Sequence, residues 1–267
     1  MLATTQYDNI HINSEYSEFL HNINNIYIPL NPSWRNVGIT MSGGADSAML
    51  AYLVCSLIEN MQMRCTIHIV SNIRMWKTRP WQPYVFSNVF DYIKNAFPTQ
   101  EFVLHKNFVP PDIEWGNIGA SIRDEYGRMT SGDIIELRAF GEYIEHHYNL
   151  DVGFLGVNKN PTVRFIGAPT ERYLNEQLSI SDFITKRHNM LVCHPFRNLD
   201  KSEIIKLYKH NNIWDLFELT RSCEGDTISY PDVFKELDYK NYIYGQEVPV
   251  CGECFWCKER QWGIDNA

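Results

Sequence analysis

Short apolar runs of strand length alternate along the chain with longer stretches of helical period. Val37-Gly38-Ile39-Thr40-Met41, Cys65 to Val70, Glu101 to His105, Val152 to Val157 and Val192 to Phe196 read as strands. Ala48 to about Ile58, Tyr84 to Ala96 and Ile134 to His147 repeat apolar residues at helical spacing, the last through Ile134, Leu137, Phe140 and Ile144. Strand and helix in alternation predict an α/β fold, a doubly wound and mainly parallel sheet. Ahead of it, Tyr16, Phe19, Leu20, Ile23 and Ile26 recur at near-helical spacing until Pro29 and Pro32 intervene. Residues 1–36 are therefore expected to form a mostly helical extension, packed on the main domain or offering a docking or homodimer edge. The main domain covers 37–220, and a cysteine-bearing region covers 221–267.

Composition narrows the class. A chain of 267 residues that is 44% hydrophobic and 13% aromatic can bury a large core and is not disordered. Its net charge of -8 supplies no general field for nucleic acid. No apolar run approaches the ~20 residues of a membrane span. The N-terminus lacks a basic segment followed by an apolar one, so a soluble, cytoplasmic protein is expected.

Candidate chemistry concentrates where the first strand turns into its helix, at Ser42-Gly43-Gly44-Ala45-Asp46-Ser47. The first amides of a helix have no intrahelical partner and sit at the positive end of its dipole, so such a turn can cradle an anion. Gly43 and Gly44 allow close approach of the backbone, and Ser42 and Ser47 add hydroxyl donors. Asp46 is out of place beside phosphate unless a divalent cation shares the site or the side chain caps the helix. An ordinary capped turn is the competing reading.

Other candidates lie where strands end. Ser71 and Asn72 follow the second strand, at an edge where ligands of open parallel sheets collect. His68, inside an apolar run, reads as a core histidine. Met75 to Tyr84 mixes tryptophans with cations and would either stack a planar heterocycle or form a packed surface loop. Asn107 to Gly132, with Arg123, Asp124, Glu125 and Arg128, is long enough to be a lid. Asn158 ends the fourth strand, and the loop after it carries Arg164 and Arg172, forks suited to a carboxylate or pyrophosphate. Asp200 or Asn198 caps the next helix, with Glu203 completing a capping box. Lys201 then stands against the helix dipole, which makes sense if an anion lies nearby.

Four of the seven cysteines fall late in the chain, Cys223 and then Cys251-x2-Cys254-x2-Cys257. Spacing this compact aims sulfurs at one point, and metal is a better reading than disulfides. Zinc and an iron-sulfur cluster both remain open on spacing alone. Cys55, Cys65 and Cys193 sit in apolar elements and read as buried small hydrophobes.

The Ser42-Gly43-Gly44-Ala45-Asp46-Ser47 turn resembles the SGGxDS phosphate loop of the ATP pyrophosphatases, which split ATP into AMP and pyrophosphate. Taken with Lys201-Ser202-Glu203, Arg221-Ser222-Cys223 and Cys251-Gly252-Glu253-Cys254-x2-Cys257-x2-Arg260-x2-Gly263, the chain resembles 7-cyano-7-deazaguanine synthase over residues 37–263. That resemblance implies an adenine nucleotide alpha hydrolase-like fold with a small zinc-binding subdomain. It also implies an ATP-dependent ligase that turns 7-carboxy-7-deazaguanine and ammonia into the nitrile, for queuosine-type modification. Asp46, Ser47 and Lys201 would be catalytic and the loop from Ser42 to Ser47, with Ser71 and Asn72, would hold ATP and Mg²⁺. Arg128, Asn158, Arg164 and Arg172 would face the deazapurine, and the four late cysteines would hold Zn²⁺. The sequence departs from that family after the second strand, where Ser71-Asn72-Ile73-Arg74 replaces its acidic motif, and in the substrate loop. Three other functions stay open. They are a pyrophosphatase that thiolates tRNA, one that joins a deazapurine carboxylate to an amine on a macromolecule, and a zinc module that only binds nucleotide.

Overall fold

The computed structural model describes residues 17–23, 26–73, 81–108, 122–124, 129–131, 142–168, 172, 183–187, 190–225, 245–246 and 248–267. Five parallel strands form its centre: β3 (Asn36–Thr40), β4 (Thr66–Ile73), β5 (Glu101–Phe108), β8 (Val152–Phe154) and β10 (Met190–Cys193). They stand in the order β5-β4-β3-β8-β10. From β3 the chain steps outward through β4 to β5, then returns to add β8 on the other side. That reversal between β3 and β8 is where an open parallel sheet leaves a crevice beyond its strand ends. Antiparallel strands finish the edges, β6 (Ile122–Asp124) and β7 (Met129–Ser131) beside β5, and β9 (Ile184–Arg187) beside β10.

Helices α1 (Ala45–Asn60), α2 (Gln82–Ala96), α4 (Lys201–His210), α5 (Trp214–Leu219) and α6 (Phe255–Asp265) pack with one another, while α3 (Glu142–Tyr148) belongs to a second, smaller core. The split follows the pleat of β4: Ile67 and Ile69 enter the main core, and Val70 joins Ile144, Leu150 and Met190 in the smaller one. Apolar residues surround α1 on nearly every side, and Ala48, Met49, Leu50, Ala51 and Val54 are wholly enclosed. Such a helix is held by the core around it and not by an amphipathic stripe. Asp200 caps α4 as the capping box requires, its Oδ1 accepting from Ser202 N and Glu203 N while Glu203 accepts from Asp200 N.

Several expectations need correction. The segment before β3 is not helical where it is described: β1 (Leu20–Ile23) and β2 (Ile26–Pro29) pair antiparallel after a single 3-10 turn. Its contact with the main domain runs deep, because Ile26, Ile28 and Leu30 are buried in the main core. Their alternation outweighs the near-helical spacing. Strand β8 ends at Phe154, earlier than the apolar run suggests; Leu155 N still donates to Cys193 O at 2.9 Å, and Gly156 to Asn158 leave the sheet. Part of the expected lid is sheet edge, since β6 and β7 lie within it. His68 is a core residue as expected, with Nδ1 3.0 Å from His105 Nε2 and Nε2 3.2 Å from Asn36 Oδ1. No helix among the described residues is long and apolar enough to cross a membrane.

Candidate functional site

A cavity of about 260 Å³ opens at the crevice between β3 and β8. Its walls bring together Ser42, Gly44, Ala45 and Asp46 from the turn into α1, Asn158 and Arg172 from beyond β8, and Lys201 from α4. Trp81, Gln82, Gly156, Arg221, Ser222, Cys223, Glu224 and Trp256 also line it.

Gly44 precedes α1 in extended backbone, and no side chain caps the helix. The turn instead folds its polar groups inward. Ser47 Oγ donates to Gly44 O at 3.1 Å and accepts from Ser42 N at 3.2 Å, while Ser42 Oγ accepts from Gly44 N at 3.3 Å. Gly43 takes a φ of +84°, and a side chain there would also press on the backbone of Phe86. Across the crevice Gly156 is equally constrained: a Cβ would lie 3.0 Å from Ser47 N and Cα. The loop after β8 thus touches the first turn of α1 backbone to backbone.

Lys201 is fully buried, and its Nζ lies 2.5 and 2.6 Å from the two oxygens of Asp46. The anion that explains a lysine in the first turn of α4 is therefore already present in the chain. A second carboxylate stands behind it, Glu259 of α6, with Oε2 3.6 Å from Nζ. Arg172 holds Glu259 Oε1 at 2.5 Å and also donates to the backbone and side-chain oxygens of Asn158. Asp46, Lys201, Glu259 and Arg172 form one chain of alternating charge, with both carboxylates answered.

The four late cysteines meet as the spacing implies. All four Sγ atoms lie within 4.8 Å of one another, with Cys223 to Cys251 at 3.6 Å and Cys251 to Cys257 at 3.8 Å. Zinc bonded to thiolate at about 2.3 Å would set sulfurs about 3.8 Å apart in a tetrahedron. The donor set therefore fits one ion, whereas a cluster placing several metal atoms and sulfides between the thiolates needs a wider ring. Amides of Cys251 and Cys254 point at Cys223 and Cys251 sulfur at 3.4 Å each, and Gly252 makes the turn between them at φ +73°. Hydrogen bonds from the neighbouring Cys223 and Cys257 thiols hold Cys254 well below the usual thiol range.

Arg221 joins the two centres. Its N-H donates to Gly43 O at 3.0 Å, its guanidinium donates to Val248 O and Pro249 O at 2.6 Å each, and it covers the Trp81 ring at 4.4 Å. Burial lowers its pKa and the nearby cysteines raise it.

Other sequence candidates fall elsewhere. Gly43 and Ser47 support the turn from beneath and do not line the cavity. Ser71 is fully buried, and Asn72 does not line the cavity; Gln82, which does, donates its Nε2 hydrogen to Asn72 O at 2.9 Å. Both lie behind the wall because β4 runs on to Ile73. Arg164 is exposed and away from the cavity, since residues 162–164 lie on the surface. Arg128 and most of the Met75 to Tyr84 segment lie outside the described residues. Glu259 and Gly156 escaped sequence reading. A glycine inside an apolar run is a recognised mark of close backbone approach and could have revealed Gly156. Glu259, one acid in a charged helical stretch, carries no such mark.

The class that fold and site define is an α/β protein with an uncapped helix start facing a switch-point cavity, beside a four-thiol centre that could bind a metal. No protein-family profile matches the chain, and no curated protein does. Among solved structures it is similar to the U34-tRNA thiolase NcsA from Methanococcus maripaludis with its 4Fe-4S cluster, at 12% identity and a TM-score of 0.38. The match covers 85% of this chain and 80% of that one. At that distance nothing of the thiolase's activity transfers.

Proposed function

We propose that the cavity binds ATP and that the protein is an ATP-dependent carbon-nitrogen ligase of the 7-cyano-7-deazaguanine synthase type. The observation that carries this reading is the uncapped start of α1, opening into a cavity that also holds the Lys201-Asp46 pair. First-turn amides would receive phosphate oxygens, and Lys201 would add positive charge. Asp46 suits Mg²⁺, which commonly takes one or two carboxylates plus substrate phosphates and would neutralise charge on the leaving pyrophosphate. Cys223, Cys251, Cys254 and Cys257 would hold Zn²⁺ in a closed, structural site.

A carboxylate is a poor acyl donor because oxide leaves badly. Attack of its oxygen on the α-phosphorus of ATP forms an acyl adenylate and breaks the bond to pyrophosphate. Ammonia then adds at the acyl carbon, loses a proton and expels AMP, leaving an amide. A second ATP is then consumed: the amide oxygen attacks its α-phosphorus and expels pyrophosphate, and the nitrogen loses both remaining protons as AMP leaves, giving the nitrile. Ser42, Asp46, Lys201 and the backbone hold the phosphates in line, and no side chain need act as a covalent nucleophile. Asn158, Arg172, Trp81 and Trp256 border the remaining space and would meet the deazapurine.

Purified protein given ATP, Mg²⁺, ammonia and 7-carboxy-7-deazaguanine should release pyrophosphate and AMP and yield the nitrile mass. An amide as final product would reduce the reaction to one activation, and absence of pyrophosphate release would overturn the reading. Sulfur transfer is the second reading, favoured by one feature: Cys223 itself lines the cavity. Stoichiometric iron and a broad visible absorption in anaerobically purified protein would select it, and one zinc with no iron would reject the cluster form.

A further inference from the structure

Lys201 stands between two carboxylates that are used unequally. Both Asp46 oxygens are within 2.6 Å of Nζ, whereas Glu259 Oε2 lies 3.6 Å away and makes no hydrogen bond among the described residues. Glu259 is not loosely placed. Its other oxygen is fixed by Arg172, which is anchored on Asn158, and its side chain is completely enclosed. One turn further along α6, Gly263 leaves room for the lysine stem, since a Cβ there would lie 2.6 Å from Lys201 Cγ. The helix that carries two of the clustered cysteines at its start therefore shapes the pocket in which Lys201 sits.

Asp46 is the more accessible member of this group, its side chain 18% exposed against 2% for Lys201 and none for Glu259. A cation arriving with phosphate needs carboxylate oxygens, and those of Asp46 are occupied by Lys201. Taking them would strand a buried ammonium, which low-dielectric surroundings penalise heavily. An ammonium has three donors, and a second carboxylate lies within one small side-chain shift.

We infer that Glu259 is a positioning residue, the reserve counter-charge onto which Lys201 moves when Asp46 turns toward a phosphate-bound divalent cation. This rests on the nucleotide reading above and extends it. Lys201 exchanges its hydrogen bonds to Asp46 for one to Glu259 Oε2 and directs its remaining protons at phosphate. No proton or covalent bond changes hands.

Glu259→Gln retains an oxygen for Arg172 but removes the charge. ATP binding is measured by calorimetry on the full chain at graded Mg²⁺ concentrations. In wild type, affinity should rise with Mg²⁺. In the variant that Mg²⁺-dependent gain should shrink roughly tenfold or more, with metal-free ATP affinity changed much less. A merely structural residue would lower the melting temperature and the active fraction while leaving the Mg²⁺ dependence intact, and that result overturns the inference. Should the variant fail to fold, crystals of wild type with Mg²⁺ and a non-hydrolysable ATP analogue decide the matter. Lys201 hydrogen-bonded to Glu259 with Asp46 released supports the exchange, and Lys201 still on both Asp46 oxygens beside bound analogue refutes it. If wild type binds no nucleotide at any Mg²⁺ concentration, the nucleotide reading itself fails and takes this inference with it.

Discussion

Lys201 and Asp46 are both charge partners and candidate phosphate contacts, and single substitutions separate the two roles. Asp46→Asn leaves Lys201 one carboxylate, Glu259, so the fold should survive while pyrophosphate release falls to background. Lys201→Met instead leaves Glu259 and Asp46 without their shared cation, and removing one partner of a buried pair costs about 3–5 kcal/mol. Urea unfolding should show that loss for Lys201→Met and a much smaller one for Asp46→Asn. Equal losses would mean that Asp46 is as structural as the lysine. Lys201 was legible because its charge opposes the helix dipole. Its partners were not, because Asp46 lies 155 positions upstream and Glu259 belongs to a helix whose packing on α4 no local pattern specifies. Arg172 shows the same limit: it lines the cavity, but its hydrogen bonds to Asn158 and Glu259 make it first a support for neighbouring groups.

At the scale of elements, the backbone contact between the β8 loop and α1 holds the site's geometry. In Gly156→Ala the new methyl would press on Ser47 and Asp46 main chain, which cannot swing aside as a side-chain tip can. Stability should fall by about 1–3 kcal/mol. Pyrophosphate release should fall roughly a hundredfold, because displacing α1 by a fraction of an ångström spoils alignment of the phosphates. Kinetics beside urea titration tests whether activity is hit harder than folding. The strands around this contact were readable as β-branched runs, and α1 as an apolar one. The β1-β2 hairpin was misread since Tyr16, Phe19, Leu20, Ile23 and Ile26 satisfy a helical period, and only the alternation of Ile26, Ile28 and Leu30 toward the core settles the competition.

For the whole molecule, stability should depend on the thiol centre and on pH. Cys254→Ser should lose bound metal and lower the melting temperature, because a metal held only by the folded chain adds its binding free energy to folding. Metal analysis beside thermal unfolding checks both, and an unchanged melting temperature would make the centre incidental to the fold. Burial pushes His68 and His194 down to about 4, so between that value and about 6.5 the unfolded chain binds more protons than the folded one. Stability should accordingly rise with pH across this window and level off above it. His68→Gln should flatten the slope, as urea midpoints at about pH 5 and pH 7.5 would reveal. The doubly wound topology was legible from alternating periods. The antiparallel edges were not, since such short strands lack a pattern long enough to stand out.

The contacts of α6 with Lys201 and of Arg221 with Gly43 also order events during synthesis. A nascent chain displayed only through β10 would hold all five central strands and the glycine turn, yet not Lys201, Arg221, Glu259 or any of the four clustered thiols. Capture of nucleotide should begin late in translation, and ribosome-stalled fragments ending between residues 200 and 250 should remain empty.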